Sequence, residues 1–184
     1  MARFVRTIAF LVFLIVVSFP ASRLETAINH GSPFRFTGDG KINLIDTHTF
    51  ERLVIVYRDK DGFYDDLTLR AVNHTLRCHG KSEKYPISLK LIELIDHLQD
   101  NFGVEEVQVI SGYRSPEYNA ALTRRSGRVA HNSLHMRGLA MDIRMPGVDK
   151  HKLGQYARSL RTGGVGVYGG SGFVHVDVGP VRSW

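Results

Sequence analysis

Two short apolar segments in the last third of the chain carry ionisable residues where core residues belong. Leu139-Ala-Met-Asp142-Ile143 reads as a strand with a carboxylate inside it, and Phe173-Val-His175-Val-Asp177 as a second strand with an imidazole at its centre. A carboxylate in an apolar strand is unfavourable unless it is paired or bound to a metal. The fold must therefore bring a partner to Asp142. Residues at i and i+2 share a strand face, so His175 and Asp177 point the same way. His135 stands seven residues before Asp142, on a loop entering that strand. If the two strands are neighbours, His135, Asp142, His175 and Asp177 converge on one patch. Imidazole nitrogen and carboxylate oxygen are both good Zn²⁺ ligands, and three of them plus an open position make a catalytic rather than a structural site. A lone histidine on a strand is, however, more often a surface or core residue than a ligand. Spacing alone leaves a metal site and an ordinary polar cluster about equally open.

The rest of the chain supplies a scaffold of mixed type. Leu53 to Tyr57 is β-rich, and Asp61-Gly62 is a turn signal, which predicts a hairpin ending near Tyr64. Asp65 suits the cap of a helix through Leu67, Leu69, Val72 and Leu76. Ser88 suits the cap of another, with Leu91, Ile92, Ile95, Leu98 and Phe102 at helical spacing and Gly103 as its stop. Val107 to Ile110 reads as a strand, and Ser115-Pro116-Glu117 as the start of a helix with Pro at its first position. Strands are predicted again at 139–143, 165–168 and 173–178, and a helix at 149–160. Helices first and close-spaced strands later indicate an α+β fold with an antiparallel sheet flanked by helices.

Residues 1–50 have a different character. Arg3 and Arg6 precede an apolar run from Ile8 to Phe19, followed by Pro20 and Ala21, as in the hydrophobic region of a secretory signal. A helix over that run covers only ~18 Å, short of a ~30 Å hydrocarbon core. Residues 1–23 are read as a signal peptide or an uncleaved N-terminal anchor, which places the protein in the periplasm or cell envelope. Residues 24–50 are read as a polar, strand-poor lead-in, and 51–184 as the catalytic domain. The single cysteine, Cys78, excludes an internal disulfide and is read as a small packed side chain. The formal charge of +6 is spread without a basic stripe, which argues against nucleic acid as a partner.

Ordered motifs add a resemblance. Ser133-x-His135-x-x-Gly138-x-Ala140-x-Asp142 is similar to the first zinc motif of the LAS-type metallopeptidases, which group lysostaphin-like enzymes, D-Ala-D-Ala metallopeptidases and the hedgehog fold. Ser111-Gly-Tyr-Arg114-Ser115, Gly163 to Tyr168, Phe173 to Pro180 and Arg182-Ser-Trp184 resemble, more narrowly, the YcbK-like murein endopeptidases of the D-Ala-D-Ala carboxypeptidase family. The similarity spans roughly residues 45–184. It implies a hedgehog/D-Ala-D-Ala-peptidase-like fold and one Zn²⁺ per chain on His135, Asp142 and His175. It also implies hydrolysis of the peptide cross-links of peptidoglycan, with D-Ala-D-Ala carboxypeptidase action or silent wall binding as the alternatives.

Arg114 resembles the arginine that orients substrate or steadies an oxyanion, tasks that suit a guanidinium fork, the alternative being a salt bridge that holds its loop. Tyr113 and Asn119 are further candidates to line the cleft. Many relatives carry Glu or Asp three residues before the last zinc histidine, where this chain has Gly172. By strand geometry Asp177 is then the nearest carboxylate and is assigned as general base, the alternative being a partner that orients a ligand or Arg114. His131 is read as cleft rim, because a fourth protein ligand would close the reactive position.

Overall fold

The computed structural model describes residues 34–127 and 129–184, so the leader read over residues 1–23 lies outside the described residues. Strands β1 (Lys41–Asp46), β2 (Arg52–Val56), β3 (Val107–Ser111), β4 (Ala140–Arg144), β5 (Gly164–Tyr168), β6 (Phe173–Asp177) and β7 (Arg182–Ser183) form one sheet in the order β2-β1-β3-β4-β6-β5-β7. The helices are α1 (Asp66–Thr75), α2 (Leu89–Phe102), α3 (Pro116–Arg125) and α4 (Lys150–Leu160).

The sheet is mixed, which corrects the antiparallel expectation. β1 runs parallel to β3, and β5 parallel to β7; the other pairs are antiparallel. The first parallel pair follows from the connection: β2, α1 and α2 intervene between β1 and β3, a crossover long enough to bring the chain back in the same direction.

The polar lead-in expected over 24–50 also needs correction, since its last part is β1. Lys-Ile-Asn-Leu-Ile-Asp alternates with period two, burying Ile42, Leu44 and Asp46, but the interleaved Asn and Asp mask the pattern. β1 also takes the partner expected for the turn at Asp61-Gly62: β2 pairs backward with β1, and only an isolated bridge joins Arg58 to Tyr64.

The helix signals are largely met. Asp65 accepts from the backbone N–H of Leu67 at 2.7 Å and of Thr68 at 3.2 Å. Ser115 Oγ accepts from Tyr118 N at 3.2 Å, with Pro116 opening α3. Gly103 ends α2 with φ 60°, where a side chain would be strained. Ser88 occupies the cap position of α2 but its side chain makes no cap hydrogen bond.

α2 places Leu91, Ile95 and Leu98 in the core with Ile42, Leu44, Val107 and Val109 of the sheet, while Leu153 and Ala157 of α4 join Val165, Val174 and Val176 in the same cluster. Cys78 is buried in this core as a free thiol.

Register then sets the opposite face. Asp142 lies across from Ser111 on one side and His175 on the other, and His175 across from Gly166. Directly opposed residues of antiparallel strands share a face, so Ser111, Asp142, His175 and Gly166 form one row across β3, β4, β6 and β5. A register shift between Val109 and Ser111 makes this row. Without it Ile110 would oppose Asp142; the bulge supplies the hydroxyl residue instead.

Candidate active site

Three polar side chains of this row and its approach loop lie almost fully buried: His135 is 2% exposed, Asp142 4% and His175 7%. Asp142 and His175 come from paired strands. His135 comes from a single 3-10 turn, Leu134–Arg137, capped by Ser133 and closed by Gly138 at φ 62°. A Cβ at Gly138 would stand 2.2 Å from the Pro86 carbonyl oxygen, so only glycine fits this bend.

The donor atoms converge. His135 Nε2 is 3.2 Å from His175 Nδ1 and 3.3 Å from Asp142 Oδ1, and His175 Nδ1 is 2.8 Å from Asp142 Oδ1. A tetrahedral ion with ligand bonds of about 2.0–2.1 Å needs neighbouring donors about 3.3 Å apart. The observed separations meet that spacing with small adjustments.

The outer side of each of these three groups is held. His135 Nδ1 faces the Gly112 carbonyl oxygen at 2.7 Å, and this acceptor makes Nδ1 the protonated nitrogen, leaving the Nε2 lone pair for the site. His175 Nε2 faces Asp177 Oδ2 at 3.1 Å, which leaves Nδ1 for the site. Arg114 donates from Nη2 to Asp142 Oδ2 and from Nε to Ser111 Oγ at 2.8 Å, so Asp142 presents Oδ1. Outer partners of this kind fix ligand tautomer and orientation.

The electrostatics agree with this geometry. Burial pushes the Asp142 carboxyl up, but His135, hydrogen bonds from both imidazoles and the Arg114 charge hold it well below the usual range. Burial pushes His135 down, against the pull of Asp142. Burial also opposes the charged form of His175, but its hydrogen bonds to Asp142 and Asp177 outweigh this and raise it.

The cluster opens into a cleft of about 480 Å³. Arg114 and Arg182 line it with Tyr168, Phe173 and Trp184, and among the described residues Asp142 is its one carboxylate. The Trp184 ring lies 5.3 Å from that of His175 and donates from Nε1 to Tyr168 Oη at 3.1 Å. A Cβ at Gly166 would stand 2.5 Å from the indole, so this glycine is the seat of the aromatic wall.

Residues 37–184 match the family model described as peptidoglycan L,D-endopeptidase MepK. The chain belongs to this family. It is 39% identical over 139 residues to the probable peptidoglycan L,D-endopeptidase MepK of Haemophilus influenzae, covering 74% of each chain. It is 37% identical over 144 residues to the peptidoglycan L,D-endopeptidase MepK of Escherichia coli K12, covering 78% of this chain and 79% of the relative. No solved structure matches it significantly. The matched segment includes β1, so the family's domain begins within the expected lead-in.

Within this family frame, Arg114, His135, Asp142 and His175 come together as the sequence suggests. Asp177 does not share the cleft. It is 1% exposed and both oxygens are taken: Oδ1 accepts from Gly164 N at 2.8 Å and Gly179 N at 2.9 Å, and Oδ2 from Arg182 Nη2 at 2.6 Å and His175 Nε2. Burial pushes its carboxyl up, but His175 and the backbone N–H groups of Gly164 and Gly179 bring it down to about 2. Both oxygens of Asp177 are thus engaged, one of them against the outer nitrogen of His175.

Tyr113 is also outside the cleft wall; its ring is 7% exposed and stacks on Tyr85 at 4.9 Å. Asn119 is buried and donates to the carbonyl oxygens of Ala130 (3.0 Å) and His131 (3.3 Å), holding the loop before the 3-10 turn. His131 is exposed on that loop. Sequence reasoning missed Arg182 and Trp184 as cleft residues, although their Arg-Ser-Trp motif had been singled out.

Proposed function

We propose that the chain is an exported zinc peptidase that hydrolyses peptide cross-links of peptidoglycan, and that its domain has the hedgehog/D-Ala-D-Ala-peptidase-like fold. The observation that carries this reading is the convergence of two imidazoles and a carboxylate, each tied back on its outer side, at the foot of a cationic and aromatic cleft. The donor set and its spacing fit a borderline ion such as Zn²⁺. His135, Asp142 and His175 would hold the ion, which would supply Lewis-acid charge for hydrolysis near neutral pH.

The protein's own residues do the rest. Gly112 and Asp177 keep the two imidazoles in the ligating tautomer, and Arg182 holds Asp177 in place. Arg114 fixes Asp142, and its guanidinium on the cleft wall stabilises negative charge on the carbonyl oxygen as the tetrahedral state forms. Arg182 adds positive charge to a cleft that receives stem peptides bearing carboxylates. The relatives' names support an L,D bond as the one cut. Muramidase-digested peptidoglycan incubated with the zinc-loaded protein, and followed by mass spectrometry, tests this. Conversion of cross-linked dimers to monomers by L,D cleavage is the expected result. Loss of single alanines instead makes it a carboxypeptidase, and no product from zinc-loaded protein makes it a binding module.

A further inference from the structure

β1 ends in a second convergence of metal-ligating side chains, two strands away from the cleft in the sheet order. Asp46 is the last residue of β1 and is 1% exposed. His48 lies two residues on in the turn, and His79 follows α1. Asp46 Oδ1 accepts from the backbone N–H of His48 at 2.8 Å and of Thr49 at 2.9 Å, which fixes the carboxylate plane. Oδ2 is thereby turned to His79 Nε2, 2.6 Å away. The His48 ring lies against the His79 ring, with centroids 4.0 Å apart and planes inclined by 31°. One donor atom from each of the three residues lies within 4.8 Å of the others.

A hydrogen bond between Asp46 and His79 accounts for two of these side chains and leaves His48 unexplained. A cation that accepts a ring-nitrogen lone pair from each imidazole and an oxygen of the carboxylate accounts for all three side chains together. We propose that Asp46, His48 and His79 form a second site for a divalent transition-metal ion of the zinc class, separate from the peptidase centre. Two imidazoles and one carboxylate suit Zn²⁺, Co²⁺, Ni²⁺ or Cu²⁺, whereas Ca²⁺ and Mg²⁺ want oxygen donors throughout. The exposed side of His48 leaves room for water to complete the coordination. The ion fastens the turn after β1 to the segment after α1. Next to His79, Cys78 Sγ meets Ser115 Oγ, the α3 cap, at 3.6 Å. The site thus braces the same end of the sheet that carries the Arg114 loop.

Equilibrium dialysis of the 184-residue chain in mild detergent, stripped with chelator and returned to Zn²⁺, tests this by elemental analysis. The wild type should hold two ions per chain, His48→Ala one, His135→Ala one, and the double variant none. Zinc should raise the melting temperature of His135→Ala but not of the double variant. His48 is exposed, so its replacement spares the core, and circular dichroism of the stripped proteins checks folding. One ion in the wild type, kept by His48→Ala and lost by His135→Ala, overturns the proposal. So does a second ion that His48→Ala fails to remove.

Discussion

Replacing Asp177 by Asn separates an orienting carboxylate from a proton-transferring one. The amide keeps the volume but exchanges one acceptor oxygen for a donor. If the nitrogen takes the Oδ2 place it meets donors on Arg182 and His175; if it takes the Oδ1 place it meets the N–H groups of Gly164 and Gly179. Either way a buried donor pair loses its acceptor, which costs stability on the order of 1–3 kcal/mol. The chemical consequence runs through His175, whose Nδ1 would be presented to the proposed ion only while Nε2 is held. Loss of an outer partner of this kind lowers metal affinity about 10–100-fold, or roughly 1.4–2.7 kcal/mol. The assay is peptidase activity against free zinc set by a chelator buffer, with zinc affinity measured in parallel. The structure predicts that Asp177→Asn shifts half-saturation by that factor and regains most of its turnover at saturating zinc. Unchanged zinc affinity with turnover reduced by about 10²–10⁴ at saturation would refute the orienting role and restore Asp177 as the base.

Further outcomes follow from the same structure. Arg114→Lys keeps the charge but loses the fork that spans Ser111 and Asp142, so kcat/KM should fall about 10²–10³-fold with zinc still bound; near-wild-type turnover would remove Arg114 from the charge-stabilising role. Gly166→Ala should displace the ring of Trp184, the chain's one tryptophan, and so change its emission and raise KM; an unchanged spectrum would show that the wall is not seated on Gly166. Burial raises the Asp96 carboxyl to about 6, with the charges of Asp100 and Asp39 adding and hydrogen bonds from Tyr57 and Gly40 opposing. Its neutral form suits the fold, so its contribution is full below about pH 4 and lost as pH rises through about 6, on the order of 1–3 kcal/mol. Urea unfolding should therefore show wild-type stability falling relative to Asp96→Asn across that window, and parallel profiles would contradict it.

Much of the site was legible because its residues break the local pattern. An aspartate within Ala-Met-Asp-Ile and a histidine within Val-His-Val demand a reason, and sequence order supplies the loop histidine at fixed spacing. Three features were hidden for physical reasons. The bulge in β3 that turns Ser111 toward Asp142 is a property of pairing, not of the Val-Gln-Val-Ile-Ser run itself. The exclusion of Asp177 from the cleft depends on Arg182 and two backbone N–H groups that only the folded chain brings to it. β1 was obscured because its alternation buries an aspartate, the residue whose partner, His79, lies beyond an intervening helix. Local signals such as the Asp65, Ser115 and Gly103 caps survived because their bonds span only a few residues.

In the proposed mechanism one ion on His135, Asp142 and His175 carries peptide-bond cleavage in peptidoglycan. Its most direct test is activity on cross-linked muropeptides during stepwise zinc return to the stripped protein, for the wild type and for His135→Ala. Wild-type cleavage should rise in proportion to occupancy of one site that His135→Ala lacks, and the variant should stay silent at every zinc concentration. Cleavage by stripped protein, or full activity of His135→Ala, would contradict it.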